Sequence, residues 1–158
     1  MIRGIHHVAL ATSDIDRLSK FYQDAFGFEV VWHGGWPKGS DLIDTIVGVK
    51  GSSSKQVMMK AGNTHIEIFQ YLTPEGKPVD PNRPANDHGY THFCVDVTDI
   101  DAEYERLTKL GMKFNCPPPS RKDLGEGPIR ATYGRDPEGN IIEIQEILDP
   151  DHEFYLDV

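Results

Sequence analysis

Cysteine is scarce in this chain. Only Cys94 and Cys116 occur among its 158 residues, on separate segments and in no CxxC pair, which argues against a disulfide framework and against a cysteine metal cluster. Long hydrophobic runs are missing too. No apolar stretch approaches the roughly 18 residues that a membrane-spanning helix needs, and no charged-then-apolar leader precedes Ile5. A cytoplasmic protein with no membrane anchor is expected. Cations are in the minority: 16 Lys and Arg stand against 25 Asp and Glu, for a net charge of −9, and they are nowhere clustered. No nucleic-acid partner is expected, because binding phosphates needs grouped Lys and Arg. A small anion held by a few local arginines stays compatible. Residues 149–158 form an acidic tail that reads as solvated.

What is present is a repeat. Residues 90–101 match the N-terminus at a shift of 85 positions, so that His92 falls on His7, Asp99 on Asp14, Ile100 on Ile15 and Asp101 on Asp16. Such fixed-offset similarity points to a paired, pseudo-symmetric architecture. The hydrophobic content of 38% suffices for one domain, or for two half-domains sharing a core.

The elements follow from periodicity. Residues 5–11 alternate as a strand, with Val8 and Leu10 on one face and Ile5, His7, Ala9 and Ala11 on the other. Ser13 is placed to cap a helix, with Asp16 three residues on. Ile15, Leu18, Phe21 or Tyr22, and Ala25 form its stripe, and Gly27 ends it. Residues 28–32 read as a strand; residues 33–51 are glycine-rich and resist assignment. Residues 56–61 and 64–71 are strands joined across Gly62-Asn63, a two-residue hairpin turn. Residues 72–89 carry Pro74, Pro78, Pro81 and Pro84 and read as a linker. The second unit repeats the pattern. It has a strand at 90–97, a cap at Thr98, a helix bearing Ile100, Tyr104 and Leu107, and a stop at Gly111. Strands at 112–116, 129–133 and 141–148 complete it, with a proline- and glycine-rich loop at 116–128 expected over a site. The turn Asp136-Pro137-Glu138-Gly139 precedes the last strand. The expected organisation is an α+β chain with a first βαβββ module at 4–72, a linker at 73–88, a second module at 89–148 and a tail at 149–158.

Parity then groups four side chains. His7 and His92 point away from the helix-side face, beside the small Ala9 and Cys94. Ile66-Glu67-Ile68 and Ile142-Glu143-Ile144 each set a carboxylate between isoleucines on a half-buried strand, an expensive arrangement unless the charge is paired or metal-bound. Two imidazoles and two carboxylates at matching places suit one divalent cation, with positions left open for water or substrate. By the same parity His6 faces the helix. His65 shares Glu67's face, where it can support a ligand, and His33, His88 and His152 fall in loops or the tail. Trp32, Trp36 and Tyr71 are candidate pocket walls, and Cys94 reads as a small packed thiol.

The stretches His6-His7-Val8-Ala9-Leu10, Asp14 to Gly27-Phe28, His65-Ile66-Glu67-Ile68, His92-Phe93-Cys94-Val95 and Asp136 to Glu143 resemble the vicinal oxygen chelate superfamily. That superfamily groups glyoxalase I, methylmalonyl-CoA epimerase, extradiol dioxygenases and the bleomycin- and fosfomycin-resistance proteins. The resemblance covers nearly the whole chain. It implies two tandem βαβββ modules forming a cupped, incomplete β-barrel with flanking helices, and metal ligands at His7, Glu67, His92 and Glu143. The metal set is similar to that of glyoxalase I and near that of the epimerase. This implies one divalent ion (Ni, Co, Zn, Mn or Fe) and a lyase or isomerase that deprotonates carbon beside a carbonyl, through an enediolate or enolate. Glu143 or Glu67 would be the base. The implied substrate is a small molecule, a thiol conjugate or another carbonyl compound. A homodimer is implied by chain length within the family. The alternatives are a binding or antibiotic-resistance protein on the same fold, and a short Fe(II) dioxygenase of the extradiol type.

Overall fold

The computed structural model describes residues 1–157. The chain divides into two compact units, Met1–Pro78 and a second that begins at Val79. The first contains β1 (His7–Ala11), α1 (Ile15–Phe26), β2 (Glu29–Trp36), α2 (Asp41–Val47), β3 (Ser53–Ala61) and β4 (Thr64–Thr73); the second contains β5 (His92–Asp96), α3 (Ile100–Lys109), β6 (Lys113–Phe114), β7 (Ile129–Arg135) and β8 (Ile141–Ile147). Each unit builds one four-stranded sheet, in the orders β1-β4-β3-β2 and β5-β8-β7-β6. The outer strand β1 or β5 runs parallel to β4 or β8, and the remaining pairs are antiparallel. The repeat in sequence is thus a repeat in topology. Among the described residues, no helix is long and apolar enough to cross a membrane.

In the first unit α1 packs on β3 and β4. Its stripe of Ile15, Leu18, Tyr22 and Ala25 is buried together with Leu10, Val57, Met59, Ile66 and Ile68. Tyr22 rather than Phe21 takes the inward position, with its ring parallel to that of Phe28 at 6.0 Å. The helix closes at Gly27, whose φ of 66° is left-handed and whose N–H donates to the Gln23 carbonyl; glycine accepts that conformation without Cβ strain. In the second unit α3 packs on β8, and Ile100, Leu107, Ile142 and Ile144 are fully buried.

Both caps sit one residue later than expected. Asp14, not Ser13, caps α1, its Oδ1 accepting the Arg17 N–H at 3.0 Å. Asp99, not Thr98, caps α3 and accepts the Ala102 N–H. A carboxylate satisfies the free amide and also meets the positive end of the helix dipole. At position 99 an Asp also tolerates the left-handed φ of 55°.

Several boundaries differ from the pattern reading. β2 runs on to Trp36, and residues 41–47 form α2, capped by Ser40, so the first unit reads βαβαββ. Strand β6 shrinks to two residues because Pro117, Pro118 and Pro119 follow closely and have no N–H for a ladder. The 115–128 loop is held through Arg130, whose guanidinium donates to the Pro118 and Pro119 carbonyls and pairs with Asp101 of α3 at 2.7 and 2.8 Å. Arg130 alternates with Tyr133 and so lies on the helix side of β7, away from the face bearing Glu143. Its charge serves structure.

The segment after α2 is tied back to the helix by Asp44. This carboxylate accepts from the Gly51 and Ser52 amides and from the Ser52 hydroxyl, while the Ser52 Oγ accepts the Trp36 indole N–H at 2.8 Å. The Ser52 hydroxyl, then the Ser52 and Gly51 amides, hold the Asp44 carboxyl below its ordinary value. A depressed carboxylate contributes above the unfolded pKa, near 3.9, and that contribution fades as pH falls through the folded value. The Gly51 and Ser52 amide resonances should titrate with a midpoint below about 3.9, and Asp44→Asn should flatten both curves. A midpoint at the ordinary value would contradict this reading.

Candidate metal centre

The first pair forms where β1 runs beside β4. Register sets Val8 against Ile66 and Leu10 against Ile68 on the buried face, so Ala9 and Glu67 lie opposite each other on the other face. Ala9 is small enough to let His7 reach across the ladder. His7 Nε2 stands 3.2 Å from Glu67 Oε2. The second oxygen, Oε1, accepts from the Gln56 amide at 3.1 Å. Only 13% of the Glu67 side chain is exposed, which rules out a solvated edge carboxylate.

The second unit repeats the arrangement. Phe93 and Val95 register with Ile142 and Ile144, and Cys94 lies opposite Glu143. His92 Nε2 stands 3.0 Å from Glu143 Oε2, with the carboxylate side chain 18% exposed. Tyr133 faces Glu143 from β7, and its ring lies 4.7 Å from that of His92. Cys94 is exposed rather than packed, yet partial desolvation, then the Glu143 and Asp96 carboxylates, push its thiol up to about 12. It stays protonated. Desolvation followed by the nearby carboxylate also raises the phenols of Tyr71, beside Glu67, and Tyr133, beside Glu143. Both units therefore present an imidazole nitrogen and a carboxylate oxygen side by side, with a neutral phenol close to each carboxylate.

Each unit brings two of the four sequence-predicted residues together, His7 with Glu67 and His92 with Glu143. Within neither unit, among the described residues, does a group of three His, Cys, Asp or Glu form a metal-holding cluster. The donors nevertheless fit a divalent cation, since neutral imidazole and carboxylate are its ordinary ligands and each pair sets an imidazole nitrogen beside a carboxylate oxygen.

His6 departs from its predicted place. It lies outside β1, so strand parity does not apply to it; its Nδ1 is 2.9 Å from His7 Nδ1 and its ring stacks on His65 at 4.8 Å. Gln56, Thr91 and Tyr133 were not singled out by sequence. Gln56 had a usable signal. The tight turn at Gly62-Asn63 pairs Ala61 with Thr64 and therefore Met58 with Glu67, which sets Gln56 two residues away on the same face. Trp36, Phe69 and Tyr71 cluster with ring separations of 5.8 to 6.2 Å, so two of the predicted wall residues meet. Trp32 instead lies across Gly34, where a Cβ would collide with its indole.

The family model described as Glyoxalase/Bleomycin resistance protein/Dioxygenase superfamily matches residues 4–144. The chain is 27% identical over 147 residues to 2-epi-5-epi-valiolone epimerase from Actinomyces sp, covering 89% of this chain and 78% of that protein. It is 27% identical over 150 residues to ethylmalonyl-CoA/methylmalonyl-CoA epimerase from Cereibacter sphaeroides, covering 93% and 100%. Among solved structures it is similar to a glyoxalase family protein from Bacillus cereus, with a TM-score of 0.82 at 23% identity, over 94% of this chain and 97% of that one. The match over residues 4–144, on a chain whose two units share one strand order and carry the same His–Glu pair, means that this protein belongs to the glyoxalase/bleomycin resistance protein/dioxygenase superfamily.

Proposed function

We propose that His7, Glu67, His92 and Glu143 supply the ligands of one divalent cation, drawn from one chain or from two copies, in an isomerase-type enzyme. The reaction moves a proton at a carbon beside a carbonyl group of a small molecule. The observation that carries this reading is the facing of His Nε2 and Glu Oε2, at 3.2 and 3.0 Å, at repeat-matched positions on the coreless face of each sheet. When bound, a divalent cation draws electron density from a carbonyl oxygen and so acidifies the neighbouring C–H.

The chain's own groups divide the remaining work. His7 and His92 anchor. Glu67 is held at both oxygens, by His7 and by the Gln56 amide, which suits a fixed ligand. Glu143 meets His92 on one side, and the residue opposite it in register is Cys94, whose thiol is a weak donor at most. We assign Glu143 the general base, since a carboxylate held less firmly can turn toward a substrate proton. The Trp36, Phe69 and Tyr71 rings form an apolar wall on Glu67's face of the first sheet, suited to a carbonyl compound with an apolar portion. Thiol conjugates belong to that class. Two epimerases among the similar proteins favour proton transfer over oxygen chemistry.

The test is direct. Protein purified without chelator should carry about one divalent ion per four-ligand set, measured by elemental mass spectrometry, and both Glu67→Ala and His92→Ala should lose it. Under anaerobic conditions in D2O, the loaded protein should then catalyse exchange of the α-hydrogen. The two probes are methylmalonyl-CoA and the hemithioacetal of methylglyoxal with glutathione. An absence of metal after reconstitution would remove the reading; turnover that requires oxygen would replace it with the dioxygenase.

A further inference from the structure

The residue immediately before each histidine makes the same contact in both units. Thr91 Oγ1 lies 2.8 Å from His92 Nδ1, and His6 Nδ1 lies 2.9 Å from His7 Nδ1. Positions 6 and 91 are repeat-matched but carry unlike residues. We propose that His6 and Thr91 are positioning residues that fix the ring orientation of His7 and His92 and supply the Nδ1 partner each needs to present a bare Nε2 to the cation. This rests on the metal reading above.

A neutral imidazole has one N–H and one lone pair, and a metal takes the lone pair. In the pairs described here Nε2 faces a carboxylate oxygen, at 3.2 Å for His7 and 3.0 Å for His92, so in the metal-free protein the proton belongs on Nε2 and Nδ1 is the acceptor. Loading a cation reverses this. Nε2 must surrender its proton, Nδ1 must carry one, and Nδ1–H then needs an acceptor. A hydroxyl serves both states, because it donates and accepts; a backbone carbonyl would serve only the loaded one. The His6 ring serves both in the same way, by exchanging its own tautomer. Its placement is fixed independently: the Thr64 hydroxyl and the His65 amide both donate to the His6 carbonyl, and the His65 ring stacks on it at 8°. Partners on the far ring nitrogen set tautomer and basicity of metal-bound histidines, and losing one commonly costs 10- to 100-fold in affinity.

The experiment compares wild type, Thr91→Val and Thr91→Ser by zinc titration against a competing chelator, and by nitrogen-15 spectra of the imidazoles with and without zinc. Valine keeps the shape and removes the hydroxyl. Zinc should bind Thr91→Val about 10- to 100-fold more weakly, while serine restores wild-type affinity. In the metal-free spectra the His92 Nδ1 resonance should leave its hydrogen-bonded acceptor position in the valine variant and return in the serine variant. In the zinc-loaded wild type an Nδ1–H should appear, protected from exchange. His6→Ala and His6→Asn should show the same loss and rescue at His7, since an amide both donates and accepts. Unchanged affinity in Thr91→Val, or an unmoved His92 Nδ1 resonance, would overturn the proposal. A wild type that takes up no zinc or other divalent ion would instead remove the metal reading, and the metal-free spectra would still decide whether the Nδ1 contacts exist.

Discussion

Replacing Glu143 by Gln is expected to lower turnover by about 10²- to 10⁴-fold, the range attributable to a positioned general base. The amide keeps the size and one acceptor oxygen of the carboxylate, so the fold stays intact, but it cannot take up a proton at neutral pH. It is also a poorer metal ligand, and bound metal should therefore be retained more weakly. The assay is kcat on whichever probe shows α-hydrogen exchange, with metal content measured on the same preparation. Full activity in Glu143→Gln would take the base role away from this residue. Glu67→Gln would then be the variant to make, because Glu67 is the repeat-matched carboxylate.

One residue away, Ile142→Ala should produce the opposite result. Ile142 is fully buried on the α3 side of β8, and truncating a buried isoleucine costs about 2–5 kcal/mol through lost transfer energy and the cavity left behind. The urea midpoint should fall with little change in slope, while the ion content of the folded fraction stays at the wild-type level. Adjacent positions thus separate cleanly, chemistry from stability, because successive side chains on a strand face opposite sides of the sheet. A variant that lost metal without losing stability would mean that the faces of β8 had been assigned the wrong way round.

That alternation is also why so much could be read from the chain alone. The faces on which His7, Glu67, His92 and Glu143 lie, and the helix stripes, follow from period two or period 3.6 combined with the repeat. Val8, Leu10, Ile66 and Ile68 are apolar, hence inward, and their neighbours His7 and Glu67 are then outward. The misplaced features are of another kind. The caps moved from Ser13 and Thr98 to Asp14 and Asp99 because two adjacent cap-competent residues compete, and helix-end geometry chooses between them. α2 escaped notice because seven residues give periodicity too little length, and neither Leu42 nor Ile46 is buried. His6 escapes the alternation because β1 begins one residue later.

The family, the repeat, the identity of four metal-ligand candidates and the face of the sheet on which each lies are legible in the chain, because local periodicity and repeated motifs are properties of neighbouring residues. It takes folding to set which imidazole meets which carboxylate, to bring Gln56 to Glu67, to occupy Arg130 with Asp101 and the proline loop, and to stand Thr91 and His6 at the Nδ1 atoms. The registers of β1 on β4 and β5 on β8 fix the first of these. Parallel strands are joined by long crossovers rather than tight turns, so their register is set by packing against the helices and leaves no local trace in the chain.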